Sequence, residues 1–153
     1  MYLILRVLNN SCVLVKDEND VEIIILHNGI GFARKPGDHI AKSDDYQIYS
    51  LENEDTRRIK ELVTNTNPLF IEVAGEIISL AKQKLSGVDD KILVALADHI
   101  EFVVYRIENG IAITNPFSQD ISILFEDEYA VALEAKKIIY ERCGVEINED
   151  EVA

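Results

Sequence analysis

The sequence predicts an α+β fold, in which a small antiparallel β-sheet is followed by a bundle of α-helices. Two observations predict it. Up to residue 50, short runs of β-branched and aromatic residues alternate with turn-forming residues. Further along, longer stretches with apolar residues at helical spacing are bounded by N-cap residues and glycines. The predicted division is a sheet domain over residues 1–55, a linker helix over 56–66 and a helical domain over 67–153.

The first half contains the predicted strands. Their sequences are YLILRVL, CVLVK, VEIIIL, IGFARK and YQIYSL. Residues 16–21 predict a hairpin turn, and residues 35–38 predict a type II turn with Pro36 second and Gly37 third. The run VEIIIL has four consecutive apolar residues, so both faces of that strand need cover. A domain of about 50 residues has too little core for this. We therefore expect the sheet to bury one face against a second copy, in a homodimer.

The second half contains the predicted helices. Their starts are Asn67-Pro68, Asp89-Asp90 and the acidic run near residue 126, and their ends are Gly87, Asn109-Gly110 and Gly144. Asn148, followed by Glu151, resembles a capping box at the start of another helix. The sequence stops before that helix completes two turns, so we expect a C-terminally truncated helical domain.

Charge and composition exclude several classes of protein. The net charge is −13, and the first 55 residues alone contain 5 Lys/Arg and 10 Asp/Glu. Non-specific coating of nucleic acid is therefore excluded, and any nucleic-acid contact must be local and shape-specific. No apolar run approaches the roughly 20 residues of a membrane span. Cys12 and Cys143 lack ligand-like spacing, which predicts free thiols in a cytoplasmic protein.

The stretch ILHNGIGFARKPGD, residues 25–38, is a candidate binding loop. No helix follows its glycines, so a nucleotide phosphate loop is excluded. Phe32, close to Arg34 and Lys35, could stack on an unpaired base or could be a core residue of a strand. The tripeptide from Asn9 to Ser11 is either a polar contact surface or a plain turn.

The chain offers no catalytic set. It contains no His-x-x-x-His, Cys-x-x-Cys or Gly-x-Ser-x-Gly pattern, so we predict neither an enzyme nor a metal or cofactor site. His99 lies at the edge of the apolar arc of its predicted helix. The pattern leaves two roles open for it, a packed structural histidine or a reactive group at an interface.

Taken in order, the motifs ILRVLNNSCVLVKDEND and EIIILHNGIGFARKPGD resemble the co-antiterminator RNA-binding module of the BglG/LicT family of bacterial transcriptional antiterminators. The stretches EIISLAKQKLSGVDDKILVALADHIEFVVYRIENGIAITNPF and FEDEYAVALEAKKIIYERCGVEINEDEVA resemble the first regulation domain of that family, the target of the sugar phosphotransferase system. Together these motifs cover essentially the whole chain.

The resemblance implies a function. Such proteins dimerise through the β module and bind an imperfect RNA hairpin in a nascent leader transcript, which prevents termination. Phosphotransferase proteins phosphorylate histidines of the regulation domains, and His99 matches the first of these. No DNA or membrane partner is implied. The implied RNA-binding positions are Arg6, Asn9, Asn10, Ser11, His27, Asn28, Phe32 and Arg34.

Three of these positions depart from the family pattern. Ser11 stands where the family has a third asparagine, and His27-Asn28 stands where the family has Gly-Arg. These changes remove hydrogen-bonding and phosphate-binding capacity from an acidic module. The alternative function is therefore a truncated dimerisation or interaction module with weak or no RNA binding.

Overall fold

The computed structural model describes residues 1–50, 65 and 67–153. Its first part is a five-stranded antiparallel sheet, as the sequence predicted. The strands are β1 (Tyr2–Asn9), β2 (Cys12–Lys16), β3 (Glu22–Leu26), β4 (His39–Ile40) and β5 (Gln47–Ser50). Their order in the sheet is β4-β1-β2-β3-β5. The long strands β1, β2 and β3 are joined by short turns, and the segment between β3 and β5 carries the short edge strand β4.

The prediction of a strand at IGFARK, residues 30–35, is wrong. The backbone N–H groups of residues 30, 32 and 34 donate to carbonyls three residues earlier, over 3.1, 3.1 and 3.3 Å. Gly29 has φ +78° and Ala33 has φ +55°, so the chain curls through successive turns and cannot extend. The strand β4, which the sequence analysis missed, pairs two residues with the start of β1.

Both predicted turns are present. Lys16 pairs with Glu22 across the β2–β3 hairpin, and the Asp17 side chain accepts hydrogen bonds inside the turn. In the second turn, Gly37 has φ +94° and the Asp38 N–H donates to the Lys35 carbonyl over 3.1 Å. A positive φ at the third position is what a type II turn requires.

The second part of the chain is helical. The helices are α1 (Pro68–Lys84), α2 (Leu93–Glu108, preceded by a 3₁₀ turn at Asp90–Ile92), α3 (Ser118–Leu124), α4 (Glu126–Cys143) and α5 (Glu149–Val152). Asn67 caps α1 by accepting from the Leu69 N–H, and Asn148 caps α5 by accepting from the Glu151 N–H. These predicted starts are confirmed. The helix α3 was not predicted, and the predicted linker helix lies outside the described residues except for Asn65.

The interior strand β3 is buried on both faces, and each face belongs to a different apolar cluster. Ile24 and Leu26 join the cluster formed with the helices, where Phe70 and Ala74 of α1 are also buried. The opposite face packs with residues of the segment between β3 and β5. That second cluster consists of Tyr2, Ile4, Val13, Val15, Ile23, Ile25, Ile30 and Ile40.

The argument for a dimer from uncovered sheet faces is therefore wrong. Cover for both faces comes from the same chain, because α1 packs on one face and Ile30, Ile40 and Tyr46 pack on the other. The dimer remains a prediction from family resemblance. Cys12 is buried in the helix-facing cluster, and both cysteines are free thiols, as predicted. Among the described residues, no helix is long and apolar enough to span a membrane.

The double cover of β3 predicts a large difference between two neighbouring isoleucines. Ile25 is fully buried, whereas its cross-strand partner Ile48 is 39% exposed. Ile25→Ala should lower the free energy of unfolding by about 2–5 kcal/mol, because it leaves a cavity. Ile48→Ala should cost much less than that. Urea unfolding followed by circular dichroism measures both, and equal losses would contradict this account of the core.

Candidate nucleic-acid interface

Two segments that the sequence analysis singled out lie side by side at one end of the sheet. The turn between β1 and β2 meets the loop after β3 because Cys12 and Leu26 are paired in register. The Gly31 N–H donates to the Asn10 carbonyl over 2.9 Å, and the His27 N–H donates to the Ser11 carbonyl over 3.0 Å. The structure thus brings residues 9–11 and 27–34 together into one surface, which we call the turn–loop surface.

The close fit of these two segments depends on Gly31. A Cβ atom at this position would lie 2.0 Å from the Asn9 carbonyl oxygen and 3.1 Å from Val7 Cγ1. The first distance is far inside van der Waals contact with backbone that cannot swing away. Only glycine therefore allows the loop to lie against the β1–β2 turn.

The turn–loop surface presents several side chains to solvent. Phe32 is 68% exposed, and Asn10, Asn28 and Arg34 are also exposed. The structure therefore excludes the role of Phe32 as a core strand residue. His27 contacts the Tyr46 ring edge-on, with the ring centroids 5.1 Å apart. An exposed aromatic ring beside amides and a guanidinium group can stack on a base and bind its edges and phosphate.

Arg6 is the predicted residue that these contacts do not reach. It is exposed on β1, opposite Leu14, where the register of β1 shifts. No hydrogen bond or ion pair among the described residues joins it to the turn–loop surface.

Both the oxygen and the nitrogen of the Asn9 side-chain amide form hydrogen bonds. Its Oδ1 accepts from the Ser11 N–H over 2.9 Å, and its Nδ2 donates to Glu72 Oε2 over 2.9 Å. Glu72 lies on α1 and is also 3.6 Å from an Arg142 guanidinium nitrogen of α4. Arg142 in turn forms an ion pair with Glu76.

Sequence analysis missed these three charged residues. They line one wall of a cleft of about 450 Å³, opposite Ser11, His27 and Asn28 of the turn–loop surface. Because Glu72 is far from residue 9 in sequence, no local spacing could have revealed its contact with Asn9. The cleft therefore forms where the sheet meets the helices.

Buried titratable groups surround this contact. Burial, with a smaller contribution from the Glu72 carboxylate, raises the pKa of Cys12 well above its usual range. Burial and the Asp90 carboxylate raise the pKa of Tyr49 to about 12, and the Tyr49 hydroxyl lies 3.5 Å from the Gly75 carbonyl. Both groups are uncharged at neutral pH, as the apolar packing between the sheet and α1 requires.

His99 lies in a different place, on α2. Its side chain is exposed at the margin of an apolar groove of about 510 Å³, whose walls include Leu96, Val131 and Val152. Near it, partial burial and the Asp98 carboxylate raise the pKa of Glu101. No hydrogen bond or ion pair holds His99 among the described residues, so its ring nitrogens are available.

Arg106, seven residues after His99, has a structural partner. It is only 8% exposed, and its Nη2 lies 2.6 Å from Glu151 Oε1. This pair fixes α5 to α2. The described residues contain no group of three or more His, Cys, Asp or Glu side chains that could hold a metal ion.

Two family profiles match the chain. Residues 2–58 match the sequence profile of the CAT RNA binding domain, and residues 75–153 match that of the PRD domain. The second match covers more than half of the chain. The chain belongs to the PRD family. Its CAT domain precedes its PRD domain, with the start of α1 between the two matched regions.

Two relatives of this chain are antiterminators by name. The chain is 33% identical over 150 residues to the beta-glucoside operon antiterminator of Dickeya chrysanthemi, with 97% of the chain and 53% of the relative covered. It is also 33% identical over 150 residues to the transcription antiterminator LicT of Bacillus subtilis strain 168, covering 97% and 54%. The chain thus spans about half the length of these relatives.

A solved structure has the same architecture. The crystal structure of GlcT CAT-PRDI matches with a TM-score of 0.83 and 25% sequence identity, over 99% of this chain and 91% of that chain. The homology to the BglG, LicT and GlcT antiterminators therefore extends from the CAT domain through the PRD domain.

The fit of the loop against the turn predicts that substitutions at two glycines have very different effects on the free energy of unfolding. Gly31→Ala should lower the free energy of unfolding by about 1–3 kcal/mol, because its methyl group overlaps the Asn9 carbonyl. Gly29→Asn places a larger side chain in open space at φ +78°, where asparagine is tolerated, and should cost little. Thermal unfolding measures both variants. A loss at position 29 as large as that at position 31 would contradict the crowding argument.

Proposed function

We propose that this chain is a transcriptional antiterminator of the BglG/LicT type. It binds an imperfect RNA hairpin in a nascent leader transcript as a homodimer and so prevents termination. Phosphorylation of His99 by proteins of the sugar phosphotransferase system controls this binding. This activity takes place in the bacterial cytoplasm, where the transcript is made.

One observation carries the proposal of RNA binding. The turn–loop surface combines an exposed aromatic ring, Phe32, with the amides of Asn10 and Asn28 and the cation of Arg34. An unpaired base can stack on the ring while amide groups read its edge. Gly31 fixes the loop to the β1–β2 turn, so the surface is preorganised.

One departure from the family pattern has a structural role. The His27 ring packs on Tyr46, whereas the hydrogen bond that joins His27 to position 11 uses the backbone carbonyl, which any residue there supplies. The packing of His27 supports the loop and leaves the stacking surface of Phe32 free. Asn28 supplies an exposed amide in place of the family's arginine, which exchanges a phosphate contact for a hydrogen-bonding group.

Since the chain carries a net charge of −13, its RNA affinity must come more from stacking and hydrogen bonds than from counterion release. The predicted cations of the site are Arg6 and Arg34. We therefore expect a shallow dependence of affinity on salt, of about two phosphate contacts per chain.

A selection experiment tests this function. The chain is titrated against a pool of imperfect RNA hairpins with randomised loops, at two salt concentrations, and sedimentation velocity gives the mass of the complex. We expect enrichment of one hairpin bound by two copies of the chain. Phe32→Ala should weaken binding by about 1–3 kcal/mol, because a base loses its stacking partner.

Phe117→Ala is the matched control, since Phe117 is 62% exposed but lies in the PRD domain next to α3. It should bind the selected hairpin as wild type does. A folded dimer that enriches no hairpin above a scrambled pool would contradict RNA binding. The alternative, a dimerisation or interaction module with weak or no RNA binding, would then be tested by pairing with longer relatives.

The regulatory role of His99 is supported by its position. An exposed imidazole with no partner among the described residues can accept a phosphoryl group, and the product would place a dianion beside Leu96 and the apolar groove. Such a charge at an apolar margin changes how helices pack. The position of His99 at the margin of the groove therefore suits a regulatory switch more than a phosphoryl carrier.

Incubation with a phosphorylated phosphotransferase carrier protein should label His99 with an acid-labile phosphoryl group. His99→Ala should abolish the label. His27→Ala and His39→Ala, which remove the other two histidines of the chain, should retain it. Phosphohistidine mass spectrometry of the intact chain measures all four proteins. Labelling that survives in His99→Ala would exclude this assignment.

A further inference from the structure

The contact between Asn9 and Glu72 joins the turn–loop surface to the helices. The Asn9 Oδ1 is used within its own turn, by the Ser11 N–H. This bond fixes the side-chain amide and directs its Nδ2 toward α1, where Glu72 Oε2 accepts from it over 2.9 Å. One of the two N–H groups that Asn9 could offer to a base is therefore already bound to a carboxylate, and the amide that carries the other is held in place by both bonds.

The surroundings of this contact also disfavour RNA. Glu72 and Glu76 stand one helical turn apart on α1 and line the cleft that faces Ser11, His27 and Asn28. Arg142 partly neutralises both carboxylates from α4. Within the described part of the chain, Arg142 is the one cation that pairs with these two acids. A phosphate or a base carbonyl that enters the cleft is therefore repelled by carboxylates that are only partly neutralised.

The Glu72 contact is partly buried. Its side chain is 16% exposed, and its charge lies close enough to Cys12, beneath the sheet, to raise the pKa of that buried thiol. A charge-assisted hydrogen bond in such a partly desolvated place is stronger than one in open water. Removing it requires another acceptor of comparable strength for Asn9.

We propose that Glu72 is an autoinhibitory residue, which holds Asn9 in a closed form and must be displaced before Asn9 can contact RNA. This inference rests on the proposed RNA-binding function and adds a competitor within the chain. Asn10 and Phe32 are exposed in the same structure, so they contact RNA without this displacement. RNA affinity is therefore set by how firmly α1 holds the β1–β2 turn.

The contact itself is tested without RNA. A double-mutant cycle with Asn9→Ala, Glu72→Ala and the double variant measures the coupling of the two residues in thermal unfolding. We expect the double variant to lose less stability than the sum of the losses of the two single variants, because either change removes the same bond. Additive losses would show that the contact does not form, and would overturn the proposal.

The competition is tested with the hairpin obtained by selection. Glu72→Ala should bind it roughly tenfold more tightly than Glu76→Ala, because only the first releases a charge-assisted hydrogen bond of Asn9. Glu76 is the matched control, since it lies on the same helix and in the same cleft, carries the same charge and pairs with the same arginine. Glu72→Gln, which keeps an oxygen acceptor but no charge, should fall between them.

The two asparagines supply the second control. Asn9→Ala should weaken RNA binding more in the Glu72→Ala background than in wild type, whereas Asn10→Ala should weaken it equally in both. If wild type selects a hairpin but the Glu72 and Glu76 variants bind it equally, autoinhibition is excluded and the RNA-binding function stands. If no variant binds any hairpin while the unfolding cycle shows coupling, the proposed function fails, and the inference fails with it.

Discussion

The double burial of β3 is the constraint on which the rest of this structure depends. A strand with Ile24 and Leu26 on one face and Ile23 and Ile25 on the other cannot lie at the surface of a domain. The segment after β3 therefore folds back over one face, and α1 packs on the other. The positions of this segment and of α1 are therefore set by the face of β3 that each covers.

That packing has a direct effect on the candidate binding surface. The β1–β2 turn lies at the end of the sheet that α1 crosses, so covering the apolar face also brings Glu72 to Asn9. Gly75, one turn further along α1, makes this approach close, since a Cβ there would lie 2.3 Å from Leu26 Cδ1. The folding stability of the chain and the exposure of the Asn9 side chain therefore depend on the same interface between the sheet and α1. A change at this interface alters both.

Much of the architecture could be predicted from local sequence. The strands β1, β2 and β3 follow from β-branched runs, and the caps at Asn67 and Asn148 follow from side chains that satisfy free N–H groups. The loop at residues 30–35 was misread because its apolar residues resemble a strand, while its curl depends on left-handed backbone at Gly29 and Ala33. Strand β4 is too short to show any periodicity.

The candidate site was predictable only in part. Motif resemblance identified the turn, the loop and His99, and their placement on a turn, a loop and a helix required only local pattern. The partners Glu72 and Arg142 could not be found in this way, because nothing in their own helices distinguishes them from other solvated charges. The same holds for Arg106, whose partner Glu151 lies 45 residues away. Contacts across elements are decided by packing, which a single sequence does not display.

The order of the strands has a consequence for self-association. Within the described part of the chain, one edge of the sheet is the two-residue β4 and the other is the four-residue β5, which also contacts the 3₁₀ turn before α2. Edges this short offer few backbone groups to a strand from another molecule. The short edges therefore disfavour the edge-to-edge addition of further sheets, which is the kind of growth that leads to aggregation.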